Sequence, residues 1–192
     1  GIEVLYFTDP VDAAMLMGLT DYKNHKLRSV DESDIDLSSI GEETTPEDEK
    51  PAVEGDSFEA LQTRFKDILG ERVRDVRQSK ATFNSPARLV SDETGNNRYA
   101  YRINRLLDKD YQLPVKILEL NPRHGLLHNL TGLMSAGNTG LVDAIIEQVF
   151  ETALLQDGIH PDPSAMANRL IMLMQAATGT PADSLKFDEN DN

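Results

Sequence analysis

Residues 163–177, "PSAMANRLIMLMQAA", describe a helix that is apolar on nearly every side. A helix that packs on one neighbour needs a single apolar stripe with polar residues opposite. Here Met166, Leu170, Leu173, Met174 and Ala177 form one stripe, and Ala167, Ile171 and Met172 widen it almost all round. The helix predicted before it, residues 140–157, carries a broad stripe of its own: Leu141, Val142, Ile145, Ile146, Val149, Phe150, Ala153 and Leu154. Gly158 ends that helix, and Asp162 followed by Pro163 starts the next. Two arrangements cover so much apolar surface. Either the rest of the domain roofs the pair, giving a plain monomeric domain, or a second copy of the same pair closes on it about a two-fold axis as a four-helix bundle. Little chain follows residue 177, which favours the second copy. The interface then expected comprises Leu141, Ile145, Ile146, Val149, Phe150, Leu154, Met166, Leu170, Leu173 and Met174.

The rest of the chain divides at a block of acids. Residues 31–56, "DESDIDLSSIGEETTPEDEKPAVEGD", hold eleven acids and one lysine, so most of the net charge of −14 sits there. Such a stretch reads as a solvated acidic linker, and the overall balance disfavours nucleic acid and anionic membrane as partners. With 192 residues and 39% hydrophobic content, the remainder is long enough to bury a core. No cysteine is present, so disulfides and thiolate metal sites are ruled out, in keeping with a reducing compartment. No apolar run is long enough to span a bilayer. The chain opens abruptly in "IEVLYF", as if cut from a longer protein.

Before the linker, "IEVLYF" reads as a strand, Val11 to Leu19 as a helix behind Asp9-Pro10, and "KLRSV" (26–30) as a returning strand, together the fragment of an α/β layer. After it, Asp56 and Glu59 have capping-box spacing for a helix running to Leu69, with Phe58, Leu61, Phe65, Ile68 and Leu69 as its stripe. "RVRDVRQS", "ARLVSD" and "KILEL" read as strands. Residues 96–107 and a segment from Asn121-Pro122 to Met134 read as helices. The boundaries expected are 1–37, a linker over 38–56, a main domain over 57–178, and a polar tail over 179–192.

Chemistry is sparse. His124 and His128 lie one turn apart on a predicted helix, the spacing of two zinc ligands, and a metal-dependent enzyme is the alternative they raise. Gly125 stands where a zinc protease needs its glutamate, and no third ligand presents itself. "GLMSAGNTG" lacks the lysine and hydroxyl residue of a phosphate loop. No paired acid and base is picked out, so no catalytic residue and no cofactor is expected. In "NNRYAYRINRLLDKDYQL" (96–113), Tyr99, Ile103, Leu106 and Leu107 make an amphipathic stripe, with Tyr101 beside it: a core helix, or one that keeps apolar surface for other proteins.

Several stretches, in order, resemble one family. "EVLYFTDPVDAAMLMGL", "FEALQTRFKDILGERVRDVRQSKATFNSPARLVS", "ILELNPRHGLL" and "VFETALLQDG…DPSAMANRL" are similar to the end of the heat shock protein 90 chaperone family, including its bacterial HtpG-type members. The resemblance covers most of residues 2–175. It implies an α+β fragment: the end of an α/β middle domain, then a small mixed sheet with helices, then a helix pair forming a dimeric four-helix bundle. It implies self-association and contact with unfolded or partly folded client proteins, the latter through Tyr99, Tyr101, Ile103, Leu106 and Leu107. ATP is implied for an amino-terminal domain outside this chain, which by itself would neither bind nor hydrolyse it. The ending "FDENDN" differs from the Met-Glu-Glu-Val-Asp of eukaryotic cytosolic members and from Lys-Asp-Glu-Leu. Tetratricopeptide co-chaperones are therefore not expected as partners, and a bacterial cytoplasmic member is expected, with an organellar one as the alternative.

Overall fold

Five consecutive buried residues, Lys116–Leu120, make the strand around which the chain is organised. They belong to a computed structural model that describes residues 3–7, 12, 15–16, 18–28, 51–79, 84–91 and 115–181. Numbered in chain order, the elements are β1 (Asp21–Tyr22), β2 (His25–Lys26), α1 (Asp56–Leu69), β3 (Val73–Gln78), β4 (Ala87–Val90), β5 (Lys116–Leu120), α2 (Gly125–Ser135), α3 (Thr139–Asp157) and α4 (Met166–Ala177). The described residues are thus α+β, as expected.

The main sheet has the order β3-β5-β4, with β3 parallel and β4 antiparallel to β5. One face is apolar: Val76, Leu118 and Leu89 stand side by side in register, and Leu120 pairs with Ala87. Helices α1, α2 and α3 complete that core with Leu61, Phe65, Leu69, Leu127, Leu130, Val142, Ile146 and Phe150. On the other face Glu119 lies between Arg77 and Arg88. Its carboxylate is only 3% exposed and accepts from Arg77 Nη2 at 2.9 Å, Arg88 Nη2 at 2.7 Å and Ser79 Oγ at 3.0 Å. A buried carboxylate is tolerated when its lone pairs are filled in this way.

Several elements fall where the sequence puts them, while their ends differ. The helix at 56–69 ends at Gly70 with positive φ, but no capping box forms: Gly55 is the N-cap, and Asp56 is already helical. The two acids instead sit in the first turn, where the helix dipole favours them. Asn121-Pro122 does not start the next helix. Asn121 Oδ1 accepts from the Arg123 N–H at 3.0 Å, making a turn, and His124 becomes the N-cap three residues on. Asp162 caps as predicted, through the Ser164 N–H at 3.0 Å, and opens a 3₁₀ turn (Pro163–Ala165) that runs into α4.

Ahead of the acidic run the expected strands are not found. Residues 3–7 form no strand, and among the described residues none pairs with them; Tyr6 is 88% exposed. An extended run becomes a strand only through a neighbour's hydrogen bonds. Of the strand predicted over 26–30, Lys26 ends the second arm of a two-residue hairpin, β1–β2, turned by Lys23 and Asn24, both at positive φ, and residues 27–28 are not in a strand. Such a turn suits the twist of a hairpin. Of the helix predicted over 11–19, Asp12, Met15 and Leu16 are helical. Most of the acidic linker, the helix at 96–107 with Tyr99, Tyr101, Ile103, Leu106 and Leu107, and most of the tail lie outside the described residues.

Candidate interface on the terminal helix pair

α3 is held as a platform from several sides. Its carboxy-terminal end is tied to β5 by Lys116 Nζ and Asp157 Oδ2, 2.5 Å apart and both buried. Arg64 of α1 grips Asp143 with two nitrogens, Nε to Oδ1 at 2.9 Å and Nη2 to Oδ2 at 2.6 Å. Arg72 pairs with Glu147 and lies over the Phe150 ring, 5.4 Å from its centroid. Val142, Ile146, Val149, Phe150, Ala153 and Leu154 of α3 are buried in the chain's own core.

α4 is held from one side. Its first residue, Met166, is buried, and Arg169 Nη1 reaches Glu151 of α3 at 2.5 Å. Arg169, Met172, Leu173 and Ala176 are half-buried, one face of a helix turned to α3. The opposite face is Ala167, Leu170, Ile171 and Met174, spaced as three, four and seven residues apart. Leu170 is 41% exposed, Ile171 51% and Met174 58%, and Leu155 near the end of α3 is 47% exposed. Full burial of one such side chain is worth ~1.5–3 kcal/mol, so this surface leaves a large gain unrealised in the single chain. The stripe carries no charge of its own.

The ten residues predicted for the interface therefore separate. Ile146, Val149, Phe150, Leu154 and Met166 are already covered within the chain; Leu141, Ile145 and Leu173 are half-buried; Leu170 and Met174 are open. Leu155 and Ile171, which stand outside the predicted set, are open as well. Sequence periodicity cannot divide an all-apolar helix into the face that meets α3 and the face that does not. The two histidines take backbone partners. His124 Nδ1 accepts from the Leu126 N–H at 3.1 Å, and burial holds its pKa below the ordinary value. His128 Nε2 bonds the Pro51 carbonyl. Beside it the Val53 N–H donates to the Pro122 carbonyl at 2.8 Å and the Val53 side chain enters the core, so residues 51–53 of the acidic run are packed. Among the described residues no group of three or more His, Asp or Glu side chains is placed to hold a metal ion.

The family model for Hsp90 protein matches residues 1–192, the whole chain. The chain belongs to the Hsp90 family. It is 33% identical over 179 residues to the chaperone protein HtpG of Chlorobium phaeovibrioides, covering 93% of this chain and 28% of that protein. It is 34% identical over 181 residues to HtpG of Chlorobaculum tepidum, covering 92% and 28%. It is 35% identical over 175 residues to HtpG of Mycobacterium avium, covering 88% and 26%. This Hsp90 chain thus spans less than a third of the curated relatives it matches. None of these names points to a metal-dependent enzyme, so His124 and His128 gain no support as a metal site. Among the described residues no helix of this Hsp90 chain is long and apolar enough to cross a membrane.

Proposed function

We propose that this chain is the homodimerisation module of an HtpG-type chaperone, with α3 and α4 pairing against their copies as a four-helix bundle. The observation that carries the reading is the open face of α4, Ala167, Leu170, Ile171 and Met174, with Leu155 of α3 exposed as well. A surface that is apolar, uncharged and set on a braced helix pair suits a copy of itself, because a two-fold axis brings each stripe against its own equivalent. Leu141 and Ile145 of α3 and Leu173 of α4 are half-buried and add apolar surface to the pair. A standard interface buries about 1,600 Å² in total, and area alone does not set the affinity.

In this reading the chain itself carries no catalytic step. ATP binding and hydrolysis belong to parts of the family's architecture beyond these 192 residues, and the chain's role in folding and stress response is to hold two copies together. Client contact through Tyr99, Tyr101, Ile103, Leu106 and Leu107 is part of the proposal, as is a bacterial cytoplasmic setting. Sedimentation equilibrium at about ten micromolar tests the central claim. A dimer mass is expected, and Ile171→Glu should return it to a monomer with unchanged helical content. A monomer mass for the unaltered chain would overturn the reading.

A further inference from the structure

Methionine is the chain's only sulfur, since it contains no cysteine. Three of its six methionines lie on α4, and the structure grades them. Met166 is buried, Met172 is half-buried, and Met174 is 58% exposed in the middle of the apolar stripe. Met15, far away in sequence, is 46% exposed.

We propose that Met174 is a reversible oxidation site through which peroxide controls the pairing of two chains. This rests on the dimer reading above. The thioether sulfur attacks the O–O bond of hydrogen peroxide. An S–O bond forms and the O–O bond breaks; sulfur gives up two electrons, and the second peroxide oxygen leaves as water. The product, methionine sulfoxide, turns a flexible apolar side chain into a polar one and is returned to methionine by sulfoxide reductases. Its oxygen is a strong acceptor; Ala167, Leu170 and Ile171 have no side-chain donor to offer it, and the Thr178 hydroxyl one turn on already donates to the Met174 and Gln175 carbonyls. Covering that oxygen without a hydrogen bond is unfavourable, and two-fold symmetry places one in each copy.

Accessibility gives the device a direction. In a pair the Met174 sulfur is covered, so peroxide reaches it while the chain is free. Oxidation then acts on separated chains and hinders their return, and the dimer protects its own weak point. Sensitivity to peroxide should therefore fall as chain concentration rises. Met15 lies outside the patch and supplies an internal reference for reactivity.

The experiment treats the chain with hydrogen peroxide over a range of chain concentrations. Peptide mass spectrometry follows oxidation at Met174, Met15 and Met166, and sedimentation follows association. The expected result is a Met174-to-Met15 oxidation ratio that drops as the dimer forms, with Met166 slowest throughout. Oxidised chain should associate at least about tenfold more weakly, and methionine sulfoxide reductase should reverse the loss. For Met174→Leu, whatever its own starting affinity, peroxide should shift association by less than about twofold. A fully oxidised Met174 with unchanged association would overturn the proposal, as would a Met174→Leu chain that peroxide still dissociates. A chain that is monomeric before any peroxide is added would overturn the pairing itself, a result distinct from a dimer that peroxide does not weaken.

Discussion

Helices α3 and α4 are both rich in apolar residues, yet the chain treats them oppositely. α3 buries eight residues, among them Ile146, Phe150 and Asp157, and is braced by ion pairs to α1 and β5. α4 buries one, Met166, and among the described residues packs chiefly on α3. Apolar content therefore says how much surface a helix must cover, while the number of its neighbours says how much of that is covered within the chain. The difference between the two is what remains for a partner.

The comparison breaks most readily at the bracing of α3. Asp157→Ala should cost about 3–5 kcal/mol in urea unfolding, because it leaves the Lys116 ammonium buried without its carboxylate. A loss under about 1 kcal/mol would show that Lys116 escapes to water. Ile146→Ala, inside the core, should cost about 2–5 kcal/mol whether or not chains pair. The matching change on α4 sharpens the contrast: Ile171→Glu should weaken association at least about a hundredfold while the unfolding of the isolated chain barely moves. Glutamate at Leu173 is a poorer probe. That side chain is half-buried on the face turned to α3, so packing and pairing would change together.

The smallest effect expected is at α2. His124 caps that helix as a neutral acceptor, and burial keeps its pKa below the ordinary value. A depressed pKa means that its stabilisation is present above the unfolded-state pKa and fades as pH falls through the folded-state value. Comparing unfolding at about pH 7.5 and about pH 5.5 should show a loss on the acid side, of the order of the ~1 kcal/mol a cap contributes. His124→Asn keeps a capping oxygen that does not titrate, so part of the pH dependence should vanish. A difference unaltered by that change would assign it to other groups.

What was legible in the sequence follows from the range of the forces involved. The stripe Phe58, Leu61, Phe65, Ile68, Leu69 gave α1 directly, because its partners need only be apolar. The three strands β3, β4 and β5 were readable from short local stretches, but their order was not, since pairing joins residues far apart in sequence. Helix starts were misread where a side chain had two uses. Asn121 closes a turn of its own, and a histidine does the capping. The acidic run read as a uniform linker, yet Val53 belongs to the core, because one apolar residue with a bonded backbone outweighs its charged neighbours. Of the ten residues expected at the candidate interface, five are covered within the chain, three are half-buried and two are open. Which face of α4 stays open depends on where α3 lies, and no local pattern encodes that.

The strand order has a consequence for the birth of the chain. β3 and β4 are made first and are neighbours in sequence, yet β5 stands between them. As the polypeptide emerges from its amino-terminal end, neither of the two has its ladder partner until residues 116–120 have been synthesised. Until then Arg77 and Arg88 also wait for the one carboxylate that joins them, Glu119. A chain with this strand order would thus spend part of its own synthesis with apolar strand edges uncovered, the condition that makes nascent chains prone to aggregate.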